Sequence, residues 1–283
     1  MKTIVMPSRH PVSDSFSIAG YRDVDAAEDP SSYFAFLDSF ADTFREMTEA
    51  GVDLLRLSPG NSVVDVGCGH GNCVPLLAQR VKGSGRIVGL DVSHAMVAEA
   101  RRRYDHSGVP VEFRQGSALA LPFEDESFDA ARADRVLLFV DDPRQSLAEL
   151  IRVTKPGGRI SVTEGDLGAQ AVDSPDAATT GKVFAALNDR SPNGWIGRRL
   201  RAMFVSAGMQ EVDIQLIPVL STSYIEWSFR FGIERLVSGL VANGAVTRDV
   251  ALAWLDDLRS RDALGRFTAT GLLYLVTGTR SRS

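Results

Sequence analysis

Cysteine is scarce in this chain: Cys68 and Cys73 are the only two among 283 residues. Two thiols cannot frame a disulfide-stapled fold, and so low a count agrees with a reducing compartment. With His70 between them they supply three ligand types, short of the four that a structural zinc site takes, so no metal is expected. Long apolar runs are missing as well. No stretch approaches the ~18 residues of a membrane span, and the apolar part of Met1-Lys-Thr-Ile-Val-Met6 is too short for a secretory signal. A cytoplasmic protein with no membrane partner is expected. A basic excess is also absent, since 31 Lys and Arg face 36 Asp and Glu for a formal charge of −5. That balance offers little to a polyanion, so no nucleic-acid partner is expected. The one dense basic run, Arg101-Arg-Arg103, falls on a predicted helix and reads as a solvated face. No internal repeat or low-complexity segment is evident.

What the chain does have is 44% hydrophobic residues, ample for a buried core in one large or two modest domains. Its most informative stretch is Val63-Val-Asp-Val-Gly-Cys-Gly-His-Gly-Asn72, followed one helix length later by Arg86-Ile-Val-Gly-Leu-Asp-Val-Ser93. The pattern reads as strand, glycine loop, helix, strand and acid. Gly67, Gly69 and Gly71 at alternate positions let the backbone turn sharply and approach a ligand. A helix opening at such a loop presents N–H groups suited to a carboxylate or phosphate. Asp91, at the end of the second strand, is the residue type that accepts hydrogen bonds from both hydroxyls of a ribose. An adenosine-bearing cofactor is the expectation. A nicotinamide dinucleotide site would show Gly-x-Gly-x-x-Gly, whereas here the spacing is Gly-x-Gly-x-Gly. Asp65, two residues before the first glycine, would repel a pyrophosphate and welcome an ammonium group. Both features favour an amino-acid nucleoside.

The segment Asp65-Val-Gly-Cys-Gly-His-Gly71 resembles the first motif of the class I S-adenosylmethionine-dependent methyltransferases. The likeness continues in order through Gln115-Gly-Ser-Ala-Leu-Ala-Leu-Pro-Phe-Glu-Asp-Glu-Ser-Phe-Asp129, Ala133-Asp-Arg-Val-Leu-Leu-Phe-Val-Asp-Asp-Pro143 and Glu149-Leu-Ile-Arg-Val-Thr-Lys-Pro-Gly-Gly-Arg159. It implies S-adenosylmethionine as cofactor. Asp65 with Gly67, Cys68 and Gly69 would hold the methionine end, Asp91 the ribose, Val92 and Met96 one face of the adenine, and Ser117 with Ala118 its amino edge. Asp134 would face the methionine or the acceptor. Ser117 stands where many relatives carry an aspartate. Phe139 stands where many, the quinone methyltransferases among them, carry a histidine, which tells against a quinone-precursor acceptor. His70 reads as a variable loop residue.

Strands are predicted at Ser62–Val66, Arg86–Asp91, Val111–Gln115, Phe128–Ala133 and Arg159–Glu164, with helices at Asn72–Val81, Ala95–Tyr104 and Pro143–Val153 between them. Gly108-Val-Pro110 and Lys155-Pro-Gly-Gly158 read as turns that end helices. This alternation implies an α/β fold, a parallel sheet covered on both faces. By resemblance it is a Rossmann-like, seven-stranded sheet whose last strand, Phe267–Thr279, is antiparallel beside the sixth at Val212–Leu220. The organisation expected is an N-terminal helical cap over residues 1–57, a cofactor-binding core over 58–221, a helical lid over 222–266, and the last strand and tail over 267–283. The cap carries one aromatic helix, Ser32 to Phe44, which either covers the cofactor mouth or packs on the sheet. The lid carries about two helices, with Tyr224, Trp227, Phe229, Phe231 and Trp254 as either pocket or core.

Methyl transfer from a sulfonium is an in-line displacement in which the protein mostly positions its reactants. An oxygen or carbon nucleophile also needs a base. Glu164 and Asp166, at the end of the fifth predicted strand, are candidates for that base, with helix capping or solvation as the alternative for each. His10 is a third, if the N-terminal segment folds over the mouth. Arg135, Arg198 and Arg199 could bind an acidic acceptor group or make surface salt bridges. The expected activity is methylation of oxygen, nitrogen or carbon on a small-molecule acceptor, a secondary metabolite, by a monomer or homodimer. The alternatives are a cofactor-bound cyclase or lyase on the same fold and a nicotinamide oxidoreductase.

Overall fold

The structure, a computed structural model, describes residues 3–6, 20–21, 23–105 and 110–282. Among the described residues, eight strands form one sheet in the order β1-β7-β8-β6-β5-β2-β3-β4. The parallel part comprises β2 (Ser62–Val66), β3 (Arg86–Asp91), β4 (Val111–Gln115), β5 (Phe128–Asp134) and β6 (Thr154–Val172). β8 (Ala269–Thr279) runs antiparallel between β6 and β7 (Gln210–Ser221), as the resemblance implied. Strand order reverses at the β2/β5 boundary, and ligands of open α/β sheets bind beyond the strand ends there.

Alternation along the strands builds two layers. Val64, Val66, Val88 and Leu90 pack with Leu147 and Leu150 of α5 (Pro143–Val153) and with Leu200 and Phe204 of α7 (Ile196–Ser206). The intervening Val63 and Ile87 belong to a second cluster with Val52, Leu77 and Val81, from α2 (Arg45–Asp53) and α3 (Val74–Val81). Strands buried on both faces read as continuous apolar runs, which is why Val63 to Val66 is legible as one.

Four expectations need correction. The sheet has eight strands, not seven, because Ile4–Val5 forms β1 and pairs parallel with Val219 and Leu220 at the β7 edge. A two-residue strand is too short to leave an alternating pattern. The aromatic helix, α1 (Ser31–Ala41), ends before Phe44, whose backbone (φ −97°, ψ 6°) leaves the helical region, and a second helix that was not expected, α2, follows it. The insertion carries three helices, α8 (Tyr224–Phe231), α9 (Ile233–Ala242) and α10 (Arg248–Ala263). Gly232, at φ 61°, divides the first pair in the left-handed conformation that glycine tolerates best. Finally, β6 continues past Glu164 to pair Val172 with Ala269, while residues 155–158 loop out between the Phe128–Thr154 and Ala130–Arg159 partners.

Two further clusters sit above the strand ends. Tyr224, Trp227, Trp254 and Phe267 join Val183 and Leu187 of α6 (Ala177–Asp189) in a core of their own, so most of the insertion's aromatic surface is packing. Tyr33, Phe36, Phe44 and Met47 pack with Ile4, Met6 and Val24 against Ile217, Leu273 and Leu275. No described helix is long and apolar enough to cross a membrane.

Candidate functional site

The loop after β2 is held by its neighbour strand: Gly67 N and Cys68 N both donate to Leu90 O, at 2.7 and 3.0 Å. Gly67 has φ 69°, and a Cβ there would lie 2.2 Å from Val136 Cγ2, so only glycine lets β2 turn this tightly beneath the loop after β5. At the end of β3, Asp91 accepts from Gly69 N (2.8 Å, Oδ2) and Ser93 N (2.9 Å, Oδ1). Burial pushes its carboxyl above the usual carboxylate range, against the pull of those amides. Met96, buried in α4 (His94–Tyr104), lies under the loop, with its Sδ 3.9 Å from where a Gly69 Cβ would be. Val92 is 56% exposed, an open apolar platform beside Asp91. Ser117 and Ala118 border the same space, with Ser117 Oγ accepting from Leu119 N at 3.1 Å.

A chain of buried charges runs across the ends of β2 and β5. Asp65 and Arg132 are register partners on adjacent strands. Arg132 donates through Nη1 to Asp65 Oδ1 (2.9 Å) and through Nη2 to Asp134 Oδ2 (3.1 Å), and Arg135 Nε donates to Asp134 Oδ1 (2.9 Å). Asp65 Oδ2 is buried and has no hydrogen-bond partner. Loss of hydration pushes the Asp65 carboxyl up to about 6, more than Arg132 returns, with Asp134 and Asp91 adding repulsion. Arg132 itself stays charged between two acids. The two acids and two guanidiniums balance in charge, and the oxygen left over is Asp65 Oδ2, a buried acceptor open to one more donor. The sequence reading omitted Arg132. Its signal was an arginine inside the buried strand Phe128-Asp-Ala-Ala-Arg-Ala-Asp134, where a cation requires an acid on a neighbouring strand.

The three acid–base candidates separate. Glu164 is fully buried and does not line the cavity. Its Oε1 accepts from Val136 N (2.7 Å) and Leu137 N (2.5 Å), so it ties down the loop after β5. Burial pushes its carboxyl up to about 8 against those two bonds. Asp166 does line the cavity, and Arg198 holds it through Nε (2.5 Å) and Nη2 (2.9 Å). Arg198 and Arg199 both stack on Trp195, at 5.2 and 5.7 Å from the ring centroid. His10 lies outside the described residues, as do His106 and most of the turn at 108–110. His70, read as a variable loop residue, does lie in the loop after β2, but it is not exposed there. It is 1% exposed, lines the cavity, and its Nε2 lies 3.2 Å from Phe34 O and 3.2 Å from Asp38 Oδ1.

Asp25 was also missed. From the N-terminal segment it accepts from Ser93 Oγ (2.6 Å), His94 N (2.8 Å) and Ala95 N (2.9 Å), capping α4 from outside that helix. Burial alone would raise its carboxyl, but these bonds outweigh burial and hold it below the usual range. Tyr21 and Val24 beside it are thereby set over the cavity.

The cavity has a volume of about 630 Å³, within the range of ligand sites, and is continuous from the glycine loop to α8. Its far end is walled by Tyr21, Phe36, Phe139, Trp227, Phe231 and Leu272, with Arg135, Glu226 and Arg230 among them. Among the described residues, no group of three or more His, Cys, Asp or Glu is placed to hold a metal ion.

Comparison with known proteins points the same way. The family model described as Methyltransferase domain matches residues 64–162. The demethylmenaquinone methyltransferase of Shouchella clausii is 33% identical over 57% of this chain and 75% of its own length. An uncharacterized 37.1 kDa protein from transposon TN4556 of Streptomyces fradiae is 36% identical over 86% of this chain and 70% of its own. Six other curated methyltransferases similar to this chain are spanned over about half their length, 46–51%. Among solved structures, the YcgJ protein of Bacillus subtilis superposes with a TM-score of 0.59 at 20% identity, over 84% of this chain and 100% of that one, a likeness of fold.

Proposed function

Because this chain belongs to the class I S-adenosylmethionine-dependent methyltransferases, we propose that it methylates a small apolar acceptor, a secondary metabolite, held at the far end of the same cavity. The observation that carries this reading is the continuity of the cavity, which runs from the glycine loop and Asp91 to the aromatic wall of α1 and α8. S-adenosylmethionine supplies an activated methyl group on a sulfonium. Asp65 Oδ2 would receive the cofactor's ammonium group, Asp91 the ribose hydroxyls, Val92 and Met96 the adenine face, and Ser117 and Ala118 its edge. Asp134, shared by two guanidiniums, would fix the floor between cofactor and acceptor.

The residues around the reacting point support positioning more than proton transfer. Asp166 is held by two bonds from Arg198, and Glu164 is committed to the loop carrying Arg135 to Leu137. Orientation of the reactants can itself supply roughly 7–11 kcal/mol of a barrier. Helices α8 to α10 act as a lid whose inner face is Trp227, Arg230 and Phe231, and the N-terminal segment closes the other side through Asp25. Nucleic acid does not fit a recessed, apolar-walled site in a chain of charge −5. A cytoplasmic monomer or homodimer completes the proposal.

Calorimetric titration with S-adenosylhomocysteine, followed by incubation of the cofactor-loaded enzyme with acceptor libraries, tests it. Products heavier by one methylene unit support methylation. Products of unchanged mass would replace it by cyclisation or elimination on the same fold.

A further inference from the structure

Two consecutive residues of β6 hold the start of the loop after β5. Thr163 O accepts from Arg135 N at 2.7 Å, and Glu164 Oε1 accepts from Val136 N at 2.7 Å and Leu137 N at 2.5 Å. Arg135 has φ 58°, a left-handed conformation that side chains with a Cβ rarely adopt. It turns the next two amides toward one point, a backbone concavity of the kind that binds anions, and the Glu164 carboxyl fills it. The acid is fully buried and does not line the cavity. What the loop carries does reach the cavity. Val136 lines it together with Gly67, and the two are in contact, since a Cβ on Gly67 would lie 2.2 Å from Val136 Cγ2 and 3.3 Å from Val136 Cβ. On its other side the glycine loop is held by Leu90 O, which accepts from Gly67 N and Cys68 N. Gly67 therefore sits between a backbone clamp on β3 and the side chain of Val136. The path from the acid to the glycine loop has two steps, Glu164 Oε1 to Val136 N and Val136 Cγ2 to Gly67.

We propose that Glu164 is a positioning residue for the cofactor: it sets Val136 as a wedge against Gly67 and so fixes the shape of the loop that receives S-adenosylmethionine. Glu164 touches no ligand and moves no proton in this role. Its two bonds on one oxygen explain why the position needs an acceptor side chain. An apolar residue would leave both loop amides without acceptors inside the core, and the loop would have to shift to find others. With Val136 withdrawn, the glycine loop keeps its bonds to Leu90 O and loses its support on the side of β5. This assignment rests on the reading that the glycine loop receives the cofactor.

Calorimetric titration of the full chain with S-adenosylhomocysteine tests it, using Glu164→Gln, Glu164→Leu, Val136→Ala and the double variant that combines the last two, with urea unfolding to verify that each is folded. Glu164→Leu is expected to weaken binding about ten-fold or more, and Glu164→Gln, which keeps an acceptor for both amides, to stay within about three-fold of the unmutated chain. Val136→Ala is expected to weaken binding as well, with Glu164 intact. In the double variant the two losses should overlap rather than multiply, because both remove the same contact. Losses that multiply overturn the path through Val136, and glutamine binding no better than leucine overturns the role of the carboxyl as acceptor. Where Glu164→Leu does not fold, Val136→Ala decides: weakened binding supports the wedge, and affinity equal to that of the unmutated chain overturns it. Failure of the unmutated chain to bind S-adenosylhomocysteine overturns the cofactor site itself, and the role of Glu164 with it.

Discussion

Replacing Glu164 by glutamine should change the pH dependence of stability more than stability itself. The carboxyl is fully buried, accepts from Val136 N and Leu137 N through Oε1, and leaves Oε2 without a hydrogen-bond partner. Burial dominates and raises it from 4.5 to about 8. A raised acid keeps its proton in the folded state after the unfolded chain has released it. Stability is therefore lost as pH climbs from about 4.5 to about 8 and is constant beyond. At 1.36 kcal/mol per pH unit the loss is on the order of 3–5 kcal/mol. Glutamine keeps the acceptor for both amides and does not titrate, while its buried N–H2 group adds a constant cost of about 1–3 kcal/mol. Urea unfolding of both proteins at pH 5, 6, 7 and 8 measures the difference. The native chain should exceed the variant at pH 5 and fall steadily against it by pH 8. Parallel curves would refute the reasoning, because they would mean that Glu164 ionises in the folded protein at its ordinary pH.

Asp65→Asn should weaken S-adenosylhomocysteine binding and remove part of its pH dependence: with the carboxyl at about 6, affinity in the native chain should rise as pH passes from 5 to 7 and the acid ionises to meet the ammonium group. Calorimetry across that range checks it, and an unchanged slope in the variant would disprove the assignment. Asp91→Ala removes the acceptor for Gly69 N and Ser93 N as well as the ribose acid, and should cost at least ten-fold in affinity for the same ligand. Gly67→Ala forces an L side chain to φ 69° and into Val136, so expression of folded protein should fall, by at least the roughly 1–2 kcal/mol of left-handed strain. Asp25→Ala should cost about 1 kcal/mol, as a lost helix cap does, measured as a shift in the urea midpoint.

The parts of this site that were legible in the sequence are those whose chemistry is local. Gly67, Gly69 and Gly71 announce a loop because backbone conformation is a property of single residues, and all three take positive φ. Asp91 stands at the end of a recognisable strand, so its position was readable before its partners were. The strand alternation across residues 62–164 carried the parallel sheet for the same reason. What was not legible depends on pairings between distant segments. Arg132 is explained only by Asp65 across the β2–β5 register, and Glu164 looks like a cavity acid until Val136 N and Leu137 N are found on its Oε1. Phe44, Arg135 and Arg230 are nearly two hundred residues apart end to end and share no spacing, yet both guanidiniums stack on the Phe44 ring. Their meeting follows from a helix break at Phe44, a positive φ at Arg135 and the Gly232 turn that ends α8. A pocket assembled from one strand end, one helix corner and one insertion has no sequence period to read. The cofactor end of such an enzyme can therefore be inferred from motifs, while the acceptor end has to be inferred from which residues the fold brings to one cavity.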